Sequence, residues 1–168
     1  MKLSSVFNLF PENLAYAHCD IPCGIYDPYQ AQLAAHTVIR MTQMLGEVNP
    51  PSHKASEGQE DIKVMHDISR MTHVKEEHAS LLESELMTLK NDYFSKAELK
   101  EKYPDFWEPF KKALESNTKA RQVIDLKSAK ETLESVMQIA EMFYDSKGLK
   151  SQRVKAPYPT GMDIVVQK

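Results

Sequence analysis

Two cysteines and a histidine form a compact group of side chains that could bind a metal or carry redox chemistry. Cys19 and Cys23 are four positions apart and are the only cysteines of the chain, and His18 precedes the first of them. So close a pair, in a chain otherwise free of cysteine, serves metal binding or redox chemistry more often than a secreted disulfide framework. We therefore predict a metal or redox site at residues 18–23, with a small disulfide loop as an open alternative.

Residues 1–17 have the character of a leader that is removed from the mature protein. The segment has a basic residue near its start and a small-x-small pattern from Ala15 to Ala17, which is similar to a signal-peptidase site. Pro11 interrupts its apolar region, so we favour a pro-segment removed by a dedicated maturation peptidase, in a cytoplasmic protein, over ordinary secretion. Cleavage after Ala17 gives His18 a free α-amine, and that amine is a potential metal ligand.

The residues after the leader resemble the N-terminal metal-binding hook of the nickel superoxide dismutase family. Residues 18–28 read H-C-D-I-P-C-G-I-Y-D-P and fit the family pattern H-C-x-x-P-C-G-x-Y-x-P. The resemblance implies an enzyme that converts superoxide to dioxygen and hydrogen peroxide by Ni(III)/Ni(II) cycling, with one nickel ion per subunit. It also implies a four-helix fold and a homo-oligomer of six copies.

The resemblance also assigns roles to residues of the hook. Cys19 and Cys23 provide two thiolates, Cys19 adds its backbone nitrogen, and His18 gives its α-amine and, to the oxidised metal, its imidazole. Strong donors of this kind favour a square-planar d⁸ ion such as Ni(II), and an added imidazole suits the oxidised ion. Tyr26 is expected to screen the open face of the metal and to restrict anion access, which places it among the catalytic residues.

A second catalytic residue, Arg70, is predicted by position. Counted without gaps from the Asp-Tyr-Phe motif at residues 92–94, Arg70 matches an arginine that steers the axial histidine in the family. Some members pair this arginine with a glutamate at the position of Ala34. The polar partner that holds the second ring nitrogen of His18 is therefore missing or differently built in this chain.

The remainder of the sequence predicts helices. Apolar residues recur at intervals of three and four in four segments, and amphipathic helices joined by short or moderate loops bury their apolar stripes against one another. We therefore predict an all-α fold, an antiparallel four-helix bundle preceded by the N-terminal metal-binding hook. The predicted helices run from Asp27 to Gly46, from Gln59 to Tyr93, through Phe110 to Val123, and from a capping box at Ser128 and Glu131 to Gly148.

These elements divide the chain into three parts. The pro-segment comprises residues 1–17, the nickel hook and the helical bundle comprise residues 18–148, and a C-terminal extension comprises residues 149–168. The extension contains basic residues, two prolines and a short β-prone run, Ile164-Val165-Val166. We predict a solvated extension, with a partner-binding arm as the alternative.

Charge and hydropathy exclude other classes of protein. A net charge of −3 and a pI of about 6.1 disfavour nucleic acid as a partner, because phosphate binding needs a basic face. No stretch approaches the roughly 20 apolar residues that span a bilayer, so we expect no membrane association.

Two alternatives to the nickel enzyme follow from the same residues. A zinc site would need a fourth ligand beyond His18 and the two cysteines, and a redox dithiol more typically has C-x-x-C spacing. The alternative function is a non-enzymatic metal-binding or thiol redox-sensing helical protein. Most of four further histidines on the predicted helices are expected to be surface or boundary residues, and not a second metal site: His36, His66, His73 and His78.

Overall fold

The computed structural model describes residues 24–49 and 58–168 of the chain. The predicted pro-segment and the predicted ligands His18, Cys19 and Cys23 lie outside the described residues. The helices are α1 (Tyr29–Glu47), α2 (Gly58–Thr88), a π-helical turn (Leu89–Tyr93), α3 (Ala97–Lys102), α4 (Trp107–Gln122) and α5 (Leu126–Ser146), followed by strands β1 (Ser151–Lys155) and β2 (Asp163–Gln167).

The four long helices pack on one another around one hydrophobic core. Helix α1 packs against α2 and α5, and α4 packs against α5 and α2. The apolar stripes predicted for the second and last helices are confirmed, because every member is buried: Ala79, Leu82, Leu86, Leu89, Tyr93, Ala129, Leu133, Val136, Ala140 and Phe143. Each fully buried leucine or phenylalanine stabilises the fold by about 1.5–3 kcal/mol. The body is therefore mostly helical, and no helix among the described residues has the length and apolar character needed to cross a membrane.

The π-helical turn extends α2 to the predicted end at Tyr93. The amide of Phe94 donates to the carbonyl of Leu89 at 2.9 Å, a five-residue spacing that closes the wider turn. Both Tyr93 and Phe94 are buried as a result. The turn thus places two successive aromatic rings in the core.

Two helix starts differ from the predicted ones. At α1, the Asp27 carboxylate accepts from the amide of Tyr29 at 2.7 Å, so the helix begins one residue after Pro28. The predicted capping box at Ser128 and Glu131 is wrong, since α5 begins earlier and Asp125 is its cap. The Asp125 carboxylate accepts from the Ser128 amide and hydroxyl, and these bonds, with Lys119, hold its pKa far below the usual value.

The C-terminal residues form an antiparallel β-hairpin, which corrects both the all-α prediction and the solvated extension. Strands β1 and β2 pair in a register that joins Ser151 to Gln167 and Lys155 to Asp163. Ile164 and Val165 are buried, and β2 packs against α5. The fold is therefore mostly helical with a packed two-stranded sheet.

Polar contacts bind the hairpin to α1. The Gln32 amide donates to the Val165 carbonyl at 3.0 Å and accepts from the Val165 amide at 2.7 Å, so a buried side chain completes the free edge of β2. His36 contacts Thr160 at 2.8 Å and the Asp163 carbonyl at 3.1 Å. Because these groups are buried, their bonds satisfy polar atoms that would otherwise lose water without compensation.

A charged contact binds the hairpin to α5. Arg153 of β1 donates to both carboxylate oxygens of Glu134 and to both of Glu141, at 2.7 to 3.1 Å. The basic residue that suggested a solvated tail is thus half of an ion-pair network on the helical body. Because the hairpin carries polar residues on its outer face, its sequence pattern did not reveal that the other face is buried.

Candidate metal centre

The described chain begins at a short stem, residues 24–28, that links the predicted metal ligands to α1. Gly24 has a φ of +90°, in the region that side chains of L-residues rarely adopt, so glycine is required directly after Cys23. Ile25 is exposed, whereas Pro28 is buried at the start of the helix. The stem therefore turns sharply beside Cys23 and is fixed to the body at its other end.

Tyr26 is held by an aromatic cluster at the end of α2. Its half-buried ring lies 5.5 Å from the ring of Tyr93, with the planes tilted by 54°. The Tyr93 ring also contacts Phe94 at 5.0 Å and Phe143 at 4.8 Å. Aromatic pairs at these distances add about 0.5–1.5 kcal/mol each beyond their buried area. Tyr26 is thus positioned three residues from Cys23 by contacts with the core.

The hydroxyl of Tyr93 has a defined hydrogen-bond direction. The Ser146 hydroxyl donates to the Phe143 carbonyl at 2.6 Å, so its oxygen accepts from the Tyr93 hydroxyl at 2.7 Å. Tyr93 is thereby fixed at both its ring and its hydroxyl. The ring against which Tyr26 packs is accordingly a rigid support.

Two exposed lysines lie over the ring of Tyr93. The Lys96 and Lys147 Nζ atoms are 5.4 and 5.3 Å from the ring centroid, and Lys147 is also 5.1 Å from the Phe143 ring. Two positive charges beside the stem favour the approach of a small anion. Neither lysine was predicted as a site residue; the Asp-Tyr-Phe motif at residues 92–94 was the sequence signal for this corner.

Arg70 lies elsewhere on the body. It is exposed on α2 and lines a cavity of about 820 Å³, together with Arg40, Glu47 and Asp67. That cavity faces the C-terminal half of α1, and Arg40 lies roughly 18 Å along the helix from Pro28 at 1.5 Å per residue. The structure therefore does not bring Arg70 into contact with Tyr26.

Ala34 lies in a second cavity, nearer to the stem. This space of about 410 Å³ is enclosed by α1, by His78 and Leu81 of α2, and by the turn of the hairpin at Tyr158 and Thr160. His78 is half-buried and contacts the Val74 carbonyl through Nδ1 at 2.9 Å. The position that lacks a carboxylate thus faces a histidine across this cavity.

The four histidines on the helices have different surroundings. His66 and His73 are exposed and His78 is half-buried, as predicted for surface or boundary residues. His36 is buried and is the exception among the four, and this burial lowers its pKa. Its two ring nitrogens serve the hairpin and not a metal.

The described residues 24–49 and 58–168 hold no group of three or more His, Cys, Asp or Glu side chains that could bind a metal ion. Both cysteines precede Gly24 in the sequence. A metal centre built on thiolates must therefore use the segment adjoining the stem. Two thiolates, an amine, an amide nitrogen and an imidazole make a donor set that suits nickel.

Comparison with known proteins identifies relatives of this chain. A family model for nickel-containing superoxide dismutase matches residues 13–147. Nickel superoxide dismutases of Streptomyces coelicolor (strain ATCC BAA-471 / A3(2) / M145) and Streptomyces seoulensis are each 28% identical to it over 137 residues, which covers 82% of this chain and 93% of either relative.

Solved structures show the same similarity. A native nickel superoxide dismutase structure matches with 29% identity and a TM-score of 0.64, over 77% of this chain and 99% of the other. A structure with the nickel ligation of the oxidised state matches with 29% identity and a TM-score of 0.65, over 78% and 99%. The family match ends at residue 147, so the β-hairpin lies beyond it.

Proposed function

This chain belongs to the nickel-containing superoxide dismutase family, and we propose that it is an enzyme that disproportionates superoxide with nickel as its cofactor. Two superoxide anions and two protons give one dioxygen and one hydrogen peroxide. The observation that carries this function is the family match, which spans both the hook motif at residues 18–28 and the helical body.

We propose that one nickel ion per chain is held by His18, Cys19 and Cys23. When bound, nickel supplies one-electron redox chemistry by alternating between Ni(III) and Ni(II). The chemistry of the donor set supports this metal, because thiolates and a deprotonated amide are strong donors.

Tyr26 is proposed to screen the metal and to restrict the access of anions. Its packing on Tyr93 gives it a fixed position three residues from Cys23. Lys96 and Lys147 are proposed to raise the local concentration of superoxide through their charge. Tyr26 is thus assigned to the screening of the metal, and the two lysines to the attraction of the anionic substrate.

Arg70 stays a prediction as the residue that steers His18. Its cavity lies beside the C-terminal half of α1, so this role requires His18 to reach that half of the helix. An effect on the orientation of His18, and not on metal retention, is the result that the role predicts.

We further propose the architecture and the maturation of the enzyme. The short connection from α4 to α5 makes these neighbours antiparallel, as in a four-helix bundle that follows the hook. Exposed Leu81, Met87 and Trp107 are available for contacts in a homohexamer. We also propose that a maturation peptidase removes residues 1–17 in the cytoplasm.

A single preparation tests the function against the non-enzymatic alternative. A chain that begins at His18 is loaded with nickel, and its metal content, N-terminal sequence and superoxide dismutation are measured. One nickel per chain with dismutation supports the enzyme. Zinc or a stable Cys19–Cys23 disulfide, without dismutation, supports a metal-binding or redox-sensing protein.

A further inference from the structure

The hydroxyl of Ser146 connects Tyr93 to the last turn of α5. It accepts from the Tyr93 hydroxyl at 2.7 Å and donates its own hydrogen to the Phe143 carbonyl at 2.6 Å. Tyr93 is 6% exposed, and its hydroxyl has no other hydrogen-bond partner in the part of the chain that the structure describes. Loss of the Ser146 hydroxyl would therefore leave a phenol hydroxyl without a partner at a largely buried position.

This hydrogen bond and the ring contacts restrain Tyr93 in complementary ways. The contacts with Phe94 and Phe143 fix the plane of the ring, whereas the bond to Ser146 fixes the position of its hydroxyl end. Without that bond, the ring can swing about the Cα–Cβ bond toward solvent. Such a movement lowers the free energy of a buried hydroxyl that has lost its partner. Ser146 therefore holds Tyr93 in one orientation.

Tyr26 depends on the orientation of Tyr93 because the two rings are in contact. Their centroids are 5.5 Å apart, and Tyr26 is half-buried against the core at this point. The same Tyr93 ring lies near the Nζ atoms of Lys96 and Lys147, at 5.4 and 5.3 Å from its centroid. A swing of Tyr93 would thus change the gap between the Tyr26 ring and these two positive charges.

We propose that Ser146 is a positioning residue that determines which anions reach the site. By fixing Tyr93, it keeps the gap between Tyr26 and the two lysines narrow, so that a diatomic anion such as superoxide enters more readily than a longer one. The inference rests on the proposed function, in which Tyr26 screens the metal and the lysines attract the anion.

A purely structural role of Ser146 would have a different signature. Loss of one buried hydrogen bond would lower the free energy of unfolding, but it would not change how inhibition depends on the size of the anion. Anion selectivity is therefore the property that separates the two roles.

The test uses the nickel-loaded chain that begins at His18. Ser146→Ala removes the acceptor, Ser146→Thr retains a hydroxyl, and a double variant combines Ser146→Ala with Tyr93→Phe. Ser135→Ala is the matched control, because Ser135 also lies on α5 and its hydroxyl donates to a carbonyl of the same helix at 3.1 Å. Among the described residues, no tyrosine donates to that hydroxyl.

Two properties of each variant are measured, with circular dichroism to verify folding. The first is the inhibition of dismutation by fluoride and by the longer anion thiocyanate. The second is the flip rate of the Tyr26 ring in the metal-free chain, which NMR line shapes report independently of activity.

We expect Ser146→Ala to tighten inhibition by thiocyanate about 5-fold, the equivalent of one hydrogen bond, with little change for fluoride and a faster Tyr26 ring flip. Ser146→Thr and Ser135→Ala should equal the parent. The double variant should return to within about 2-fold of the parent, because its phenylalanine ring has no hydroxyl that needs a partner.

The inference is overturned if the folded Ser146→Ala variant has the anion selectivity and the ring-flip rate of the Ser135→Ala control. It is also overturned if neither Ser146→Thr nor the double variant restores the selectivity. In both cases the parent dismutates superoxide, so the proposed function stands. A parent that does not dismutate superoxide when loaded with nickel overturns the proposed function, and the selectivity role of Ser146 with it.

Discussion

The stem at the N-terminal end of α1 and the hairpin at the C-terminus are attached to the helical body in different ways. The stem contacts the body through the ring of Tyr26 and the buried Pro28. The hairpin has two buried apolar residues on β2, a reciprocal hydrogen-bonded pair at Gln32 and an ion-pair network at Arg153. The contacts that stabilise the fold therefore lie in the helices and the hairpin, whereas the predicted chemistry lies before the stem in the sequence.

The largest effect is expected at the thiolates. Cys19→Ser or Cys23→Ser removes a strong donor, and we expect complete loss of nickel and of dismutation with the helices intact, because both cysteines precede the first described helix in the sequence. Metal analysis and circular dichroism measure the two properties on one sample. Full activity in either variant would reject the assigned ligands, and loss of helical signal would reject the separation.

Removal of residues 149–168 is expected to reduce the stability of the folded protein. The deletion exposes the faces of α1 and α5 that Ile164 and Val165 cover, so the free energy of unfolding should fall by about 3–6 kcal/mol. Urea unfolding measures it. Arg153→Ala, which breaks only partly exposed ion pairs, is the matched control and should cost less. An unchanged stability after deletion would show that the hairpin does not support the body.

Arg70→Ala is expected to have a partial effect. If Arg70 steers His18, the variant keeps its nickel and slows dismutation about 10-fold. Steady-state dismutation rates normalised to bound nickel provide the measurement, with Lys63→Ala as a control for loss of an exposed positive charge on α2. Loss of nickel, or a rate equal to that of the control, would remove Arg70 from the site.

The smallest effect concerns the pH dependence of stability. Burial lowers the pKa of His36 in the folded protein, whereas the unfolded chain keeps the usual value of about 6.5. Below that pH the unfolded chain takes up a proton that the folded protein resists, so stability is lost as pH falls from about 6.5 through the folded pKa. Urea unfolding at pH 7.5 and pH 5 should show this loss in the parent and a smaller one in His36→Gln. Equal losses would exclude His36 as the source.

Local sequence patterns predicted the helical body because its apolar residues follow the period of an α-helix. The stripes of α2 and α5 repeat every three to four residues, and burial follows that period. The start of α5 was misplaced because Ser128 and Glu131 fit a capping box, while Asp125 makes the bonds. A second capping residue three positions away makes such a boundary ambiguous from sequence.

The hairpin and the second cavity depend on contacts between residues far apart in sequence. Gln32 and Val165 are 133 positions apart, and His36 and Thr160 are 124 apart. No local sequence pattern therefore predicts either hydrogen bond. The site shows the same division. The predicted ligand motif is contiguous in the sequence, whereas Tyr26 meets Tyr93 only through packing.

The proposed site depends on the α-amine of His18 as a ligand, and one residue added before His18 removes that amine. A processed chain beginning at His18 is compared with the same chain preceded by a single alanine, which turns the amine into an amide without restoring residues 1–17. Nickel content and dismutation are measured for both. We expect one nickel per chain and full activity in the first, and loss of dismutation in the second. Full nickel-dependent activity in the extended chain would show that the α-amine of His18 is not a required ligand.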